Sequence, residues 1–181
     1  LLNTALLLFA VLMTSCTAPN AWELVSKDSN VRFALENKQE NGSTMLSYSV
    51  FYKDGVAMEK SLLGLVMDNC EYGKDAQFVS ASAVKDISNV YQLKSGKKLN
   101  TTDECREQIF TFRTKEDKLF NLIVRVYNDG VAFRYELPGE AGQMHTIQTE
   151  HTEFAVPVNG KAWIHPYDWN DRHKPSYEQY C

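Results

Sequence analysis

The stretch VRVYNDGVAFRYEL, residues 124–137, decides the fold class. With the residues just before it, it places Phe120, Leu122, Val124 and Val126 on one face of an extended chain. Val131, Phe133, Tyr135 and Leu137 share one face on the far side of Asn128-Asp129-Gly130. Alternation with period two is the pattern of strands buried on one side. Asp-Gly between two such runs predicts a hairpin, with glycine supplying the positive φ of a tight turn. Both strands carry arginine on the opposite face, at Arg125 and Arg134, with Glu136 beside the second.

Working outward, the same alternation recurs. Strands are expected over residues 22–25, 31–36 and 45–52, with a turn at Asp54-Gly55 leading into Val56-Ala57-Met58. Residues 61–67, SLLGLVM, form an apolar run broken by Gly64. Further strands are expected over residues 77–84 and 109–112, a weaker one over 90–93, and short ones over 146–150, 153–156 and 162–164. No window of about eleven residues shows a helical period, and strands at roughly 8–12-residue spacing predict an all-β fold, a large antiparallel β-sandwich. Residues 166–181, PYDWNDRHKPSYEQYC, lack any period and predict a long irregular loop, the kind of segment that often carries function. The sandwich is expected to be cut before its last strands.

The N-terminal residues LLNTALLLFAVLMTS are uncharged, too short to span a bilayer comfortably, and stop at Cys16. They are expected to be an incomplete lipoprotein-type signal peptide over residues 1–15, with Cys16 the lipidated residue and 16–21 a tether. An ordinary cleaved secretory signal is the alternative; either one exports the chain, and as a lipoprotein it is expected in the periplasm or outer membrane. Multiple acyl chains would anchor firmly, each buried CH₂ contributing roughly 0.8 kcal/mol. A net charge of −4 with scattered basic residues argues against nucleic acid, which needs a concentrated positive face. Export permits a Cys70–Cys105 disulfide; two separate reduced thiols are the equal alternative. No CxxC pair exists to hold a metal.

Several stretches, read in order, resemble one family. They are Trp22-Glu23-Leu24-Val25-Ser26, LSYSVFYKDGVAMEKSLLGL at 46–65, RVYNDGVAFRYELP at 125–138, Glu150-His151-Thr152-Glu153-Phe154, Ala162-Trp163-Ile164 and Tyr177-Glu178. Together they resemble the N-terminal β-sandwich domain of glycoside hydrolase family 97 over residues 22–181. Those are exported bacterial α-glucosidases and α-galactosidases, common in Bacteroidetes. The resemblance implies a supersandwich-like domain that packs on its own C-terminal (β/α)₈ catalytic barrel, which holds the catalytic carboxylates. It implies calcium as cofactor and Glu178 as one calcium ligand, the remaining ligands coming from the barrel. Calcium takes six to eight hard oxygen ligands and tolerates donors from separate domains. Without the family, Glu178 reads as a solvated loop carboxylate. The chain alone is expected to be inactive on the α-linked oligosaccharide substrate, with no catalytic residue of its own.

The chain departs from the family between Tyr91 and Gln108, where YQLKSGKKLNTTDECREQ replaces a tryptophan-rich stretch and an aromatic-Asn-Glu run. Glu107 stands at the glutamate position and Arg106 at the asparagine. Arg125, Arg134 and Glu136 read either as a polar cluster facing the barrel or as ordinary cross-strand pairs. The four histidines fall at no metal-like spacing. Trp163, Tyr167 and Trp169 offer faces for sugar stacking or for packing. A stand-alone carbohydrate-binding or surface-assembly lipoprotein without catalysis is the alternative function.

Overall fold

A computed structural model describes residues 20–163, apart from 41, 69, 96, 98 and 140–143 and the side chain of Glu40. Its strands are β1 (Ala21–Val25), β2 (Val31–Glu40), β3 (Ser43–Tyr52), β4 (Gly55–Leu62), β5 (Leu65–Met67), β6 (Cys70–Tyr72), β7 (Gln77–Ala81), β8 (Lys85–Gln92), β9 (Asn100–Arg113), β10 (Leu119–Val126), β11 (Val131–Glu136) and β12 (Ile147–Glu150). The pairings are antiparallel throughout. One sheet runs β1-β2-β3-β4, a second β11-β10-β9-β7 with β8 also on β9, and a third β12-β5-β6. The all-β sandwich expected from the alternation is the fold observed.

The core forms where the alternating faces meet. Phe120, Leu122, Val124 and Val126 of β10 are fully buried, as are Phe110 and Phe112 of β9, and opposite them lie Phe33, Leu35 and Tyr48. Aromatic rings span the sheets. Trp22 of β1 sits 4.5 Å from Phe78 of β7 and 5.8 Å from Phe112, Tyr48 of β3 sits 5.1 Å from Phe133 of β11, and Tyr72 of the third sheet meets Phe120 at 5.5 Å. Each such ring removes a large apolar area from water, and edge-on geometry adds to the gain.

Several local expectations are corrected. The β10–β11 hairpin closes over residues 127–130, with the Tyr127 N–H donating to the Gly130 carbonyl at 2.8 Å. Gly130 is not in the positive-φ region, because a loop of this length does not need the primed geometry of a two-residue turn. At the β3–β4 turn Lys53, at φ 52°, takes the left-handed conformation, and its N–H donates to the Asn30 carbonyl at 2.7 Å. Residues 153–156 are not a strand. They lie along β4 through single bonds, Glu153 N–H to Leu62 O and Glu59 N–H to Ala155 O. Ala162 and Trp163 are not in a strand, and Ile164 lies outside the described residues.

β9 has two different halves. From Arg106 to Arg113 it is paired with β10. From Asn100 to Cys105 its only strand partner among the described residues is β8, which pairs with it from Gln92↔Asn100 to Lys85↔Glu107. A two-stranded ribbon therefore extends past the edge of the sheet.

Candidate functional site

The opposite face of β10 carries Asn121, Ile123 and Arg125, and alternation continues it to Tyr127 in the loop. Register sets Arg125 beside Glu107 of β9. The Arg125 Nε donates to Glu107 Oε2 at 2.7 Å, with the arginine side chain 39% and the glutamate 14% exposed. This bond, and a second with the Tyr127 hydroxyl, hold the guanidinium charged well beyond its ordinary range. Burial pushes the phenol of Tyr127 up. Cys105 completes the cluster: it is buried, and burial raises its thiol while a bond from Tyr127 partly offsets the rise. Ile123, Arg125, Tyr127, Ala132, Phe133 and Arg134 line a hollow of about 190 Å³ beside it.

The three residues singled out from the hairpin are thus divided. Arg125 pairs with Glu107, while Glu136 accepts from Asn121 Nδ2 at 2.8 Å. Arg134 has no ion pair among the described residues. Tyr127 was missed in the sequence, although its position two residues past Arg125 was the available signal.

The Ser61–Gly64 motif is scaffold. Ser61 is fully buried; its Oγ donates to the Glu59 carbonyl and accepts from the Ala155 N–H, both at 2.9 Å. Leu63 enters the core. A Cβ at Gly64 would stand 3.1 Å from the Tyr72 carbonyl and 3.5 Å from the His151 Cβ, so glycine lets three segments approach. Tyr135 and Thr152 share a bond of 3.0 Å that fastens the same segment to β11.

Cys70 and Cys105 are free buried thiols, so the disulfide alternative is not formed. They belong to different sheets: Cys70 lies in β6 and donates to Glu116 Oε2 at 3.3 Å, and Cys105 lies in β9 opposite Ile87. His145 Nδ1 meets Asp68 Oδ2 at 2.6 Å, whereas His151 lines a separate pocket against Gly64 and Tyr72. Trp163 is exposed. Among the described residues no three His, Cys, Asp or Glu side chains converge as a metal site requires. Cys16, Tyr167, Asp168, Trp169, Asp171 and Glu178 lie outside the described residues, as do His165 and His173.

Fold and clusters together define an antiparallel β-sandwich domain whose described polar groups brace the sheets. Residues 24–181 match the family described as Glycosyl-hydrolase 97 N-terminal, and the chain belongs to that family. A Streptomyces bingchenggensis (strain BCW-1) protein named "Probable retaining alpha-galactosidase" is 29% identical over 110 residues, which are 61% of this chain and 17% of that protein. A crystal structure of a β-arabinopyranosidase matches with a TM-score of 0.75 and 28% identity, covering 88% of this chain and 26% of the other. A family 97 enzyme from Pseudoalteromonas sp. strain K8, solved with panose, matches with a TM-score of 0.65 and 23% identity. That match covers 76% of this chain and 20% of the other and speaks to the fold alone. The chain spans roughly a sixth to a quarter of the length of these relatives.

Proposed function

We propose that this chain is the N-terminal, carbohydrate-associated domain of an exported, calcium-dependent glycoside hydrolase acting on α-galactosides or α-glucosides. The observation that carries the reading is the family match over residues 24–181. In it the domain packs on a catalytic (β/α)₈ barrel, and an N-terminal lipid on Cys16 ties the enzyme to the membrane. Glu178 supplies one carboxylate to calcium, whose hard-oxygen preference suits that donor. Bound calcium would provide positive charge near reacting carboxylates and substrate oxygens.

Between the two sugars the relatives favour the galactoside. The α-galactosidase and the β-arabinopyranosidase are 29% and 28% identical to this chain. In the L series a β-arabinopyranoside has the ring configuration of an α-D-galactoside without its hydroxymethyl group, and one pocket shape would then suit both.

The test uses the polypeptide translated from the complete gene. It should hydrolyse nitrophenyl α-galactoside, and faster than the α-glucoside, while the 181-residue chain should hydrolyse neither. Glu178→Gln in the long polypeptide should lower both calcium affinity and rate and leave the melting of the sandwich nearly unchanged. A long polypeptide without glycosidase activity, or an active 181-residue chain, would overturn the reading; unaltered calcium dependence in the variant would remove Glu178 from the site.

A further inference from the structure

The β8–β9 ribbon, residues 85–95 and 99–105, is built unlike the rest of the domain. Val90 is 76%, Leu99 60%, Tyr91 47% and Leu93 39% exposed, all at its far end. An isolated two-stranded ribbon is marginal in water, and one with open edges and exposed apolar side chains invites a partner. Beside it opens a cleft against the 127–130 loop, lined by Tyr91, Thr102, Asp103, Glu104, Tyr127, Asn128 and Asp129. Three carboxylates and two phenols line it, and no cation is among its described lining residues. Glu104 accepts a bond from Ser88 at 3.3 Å.

We propose that this ribbon and cleft are the seat on which the domain docks against the polypeptide that follows it in the full-length enzyme. The inference rests on the reading above, that this chain is one domain of a longer hydrolase. About four fifths of one solved relative and just under three quarters of the other lie beyond the part matched here, so a large partner surface would be joined to the domain in one chain. The partner's chemistry follows from the seat. An apolar surface covers Val90, Leu93 and Leu99, and a basic side chain from it enters the cleft. Arginine fits best, since its flat cation can stack on a tyrosine ring while bonding a carboxylate.

The test compares amide hydrogen exchange in the 181-residue chain and in the polypeptide translated from the complete gene. Amides of residues 88–93 and 99–104 should exchange at least about ten-fold more slowly in the long polypeptide. Val90→Glu with Leu99→Glu should abolish that protection and lower the melting temperature of the long polypeptide, yet leave that of the 181-residue chain unchanged, because both side chains are exposed there. Asp103→Asn with Asp129→Asn should weaken the protection in part and make it less sensitive to salt. Equal exchange in the two proteins, or protection that survives the double glutamate variant, would overturn the proposal. Exchange does not require turnover, so an inactive long polypeptide with a protected ribbon would sink the catalytic reading and leave the docking surface standing.

Discussion

The two halves of β9 share one strand and obey different physics. Phe110 and Phe112 lie between sheets and are essentially inaccessible, while the segment from Asn100 to Cys105 pairs with β8, itself exposed at nearly every position, and not with β10. The difference teaches that backbone pairing alone does not assign a strand's role. The inner half is held by what packs on its faces. The outer half has ladder hydrogen bonds to β8 and, apart from Cys105, little apolar burial, and such segments are where locally low stability and partner contacts are found.

The contrast is broken first by Phe112→Ala. That ring contacts Trp22, Phe78 and Phe120, and its removal should cost about 3–5 kcal/mol in a denaturant melt. A loss under about 1 kcal/mol would mean that the sheets are not packed as described. Gly73→Ala should follow, at about 2–3 kcal/mol. Gly73 sits at φ +100°, and a Cβ there would stand 2.2 Å from the Leu63 carbonyl oxygen, which is backbone and cannot swing away.

A smaller effect separates the regions by pH. Burial raises the phenols of Tyr72 and Tyr135 from 10.0 to about 12. The fold therefore favours the neutral hydroxyls. Their stabilisation is complete below the unfolded value near 10.0 and is lost as pH climbs through about 12. Melting temperatures across that interval should fall, and less steeply in a Tyr72→Phe, Tyr135→Phe double variant. An identical slope in both proteins would contradict the burial of these groups.

What was legible in the sequence follows the same divide. Strands β2, β3, β10 and β11 announce themselves because one face is buried, and one-sided burial is what writes period-two alternation into a sequence. β8 and the outer half of β9 have no such constraint, so Val90 to Leu93 gave only a weak signal and residues 100–105 none. The three-residue β6 is too short to carry a pattern. Conversely Phe154 and Val156 alternate as a strand would, yet their segment is held to β4 by single bonds and by the Ser61 hydroxyl. The Arg125–Glu107 pair needed a register between strands that no local pattern encodes. Asn128-Asp129-Gly130 marked the turn correctly but not its geometry.

The smallest predicted difference carries the comparison to polar groups. Arg125–Glu107 lies where β9 is covered by β10, at 2.7 Å with the glutamate mostly enclosed. Arg106–Asp86 lies at the root of the ribbon, at 3.4 Å with the aspartate 65% exposed. Coulomb attraction is weak in water and grows as water is excluded, and an enclosed partner left alone also loses its solvation. Glu107→Ala should therefore cost about 1 kcal/mol, after allowance for the half-open arginine, and the loss should change little with salt. Asp86→Ala should cost no more than about 0.3 kcal/mol and become undetectable at high salt. Equal losses with equal salt dependence would mean that the ribbon root is as enclosed as the sheet, and that the two halves of β9 differ in apolar packing alone.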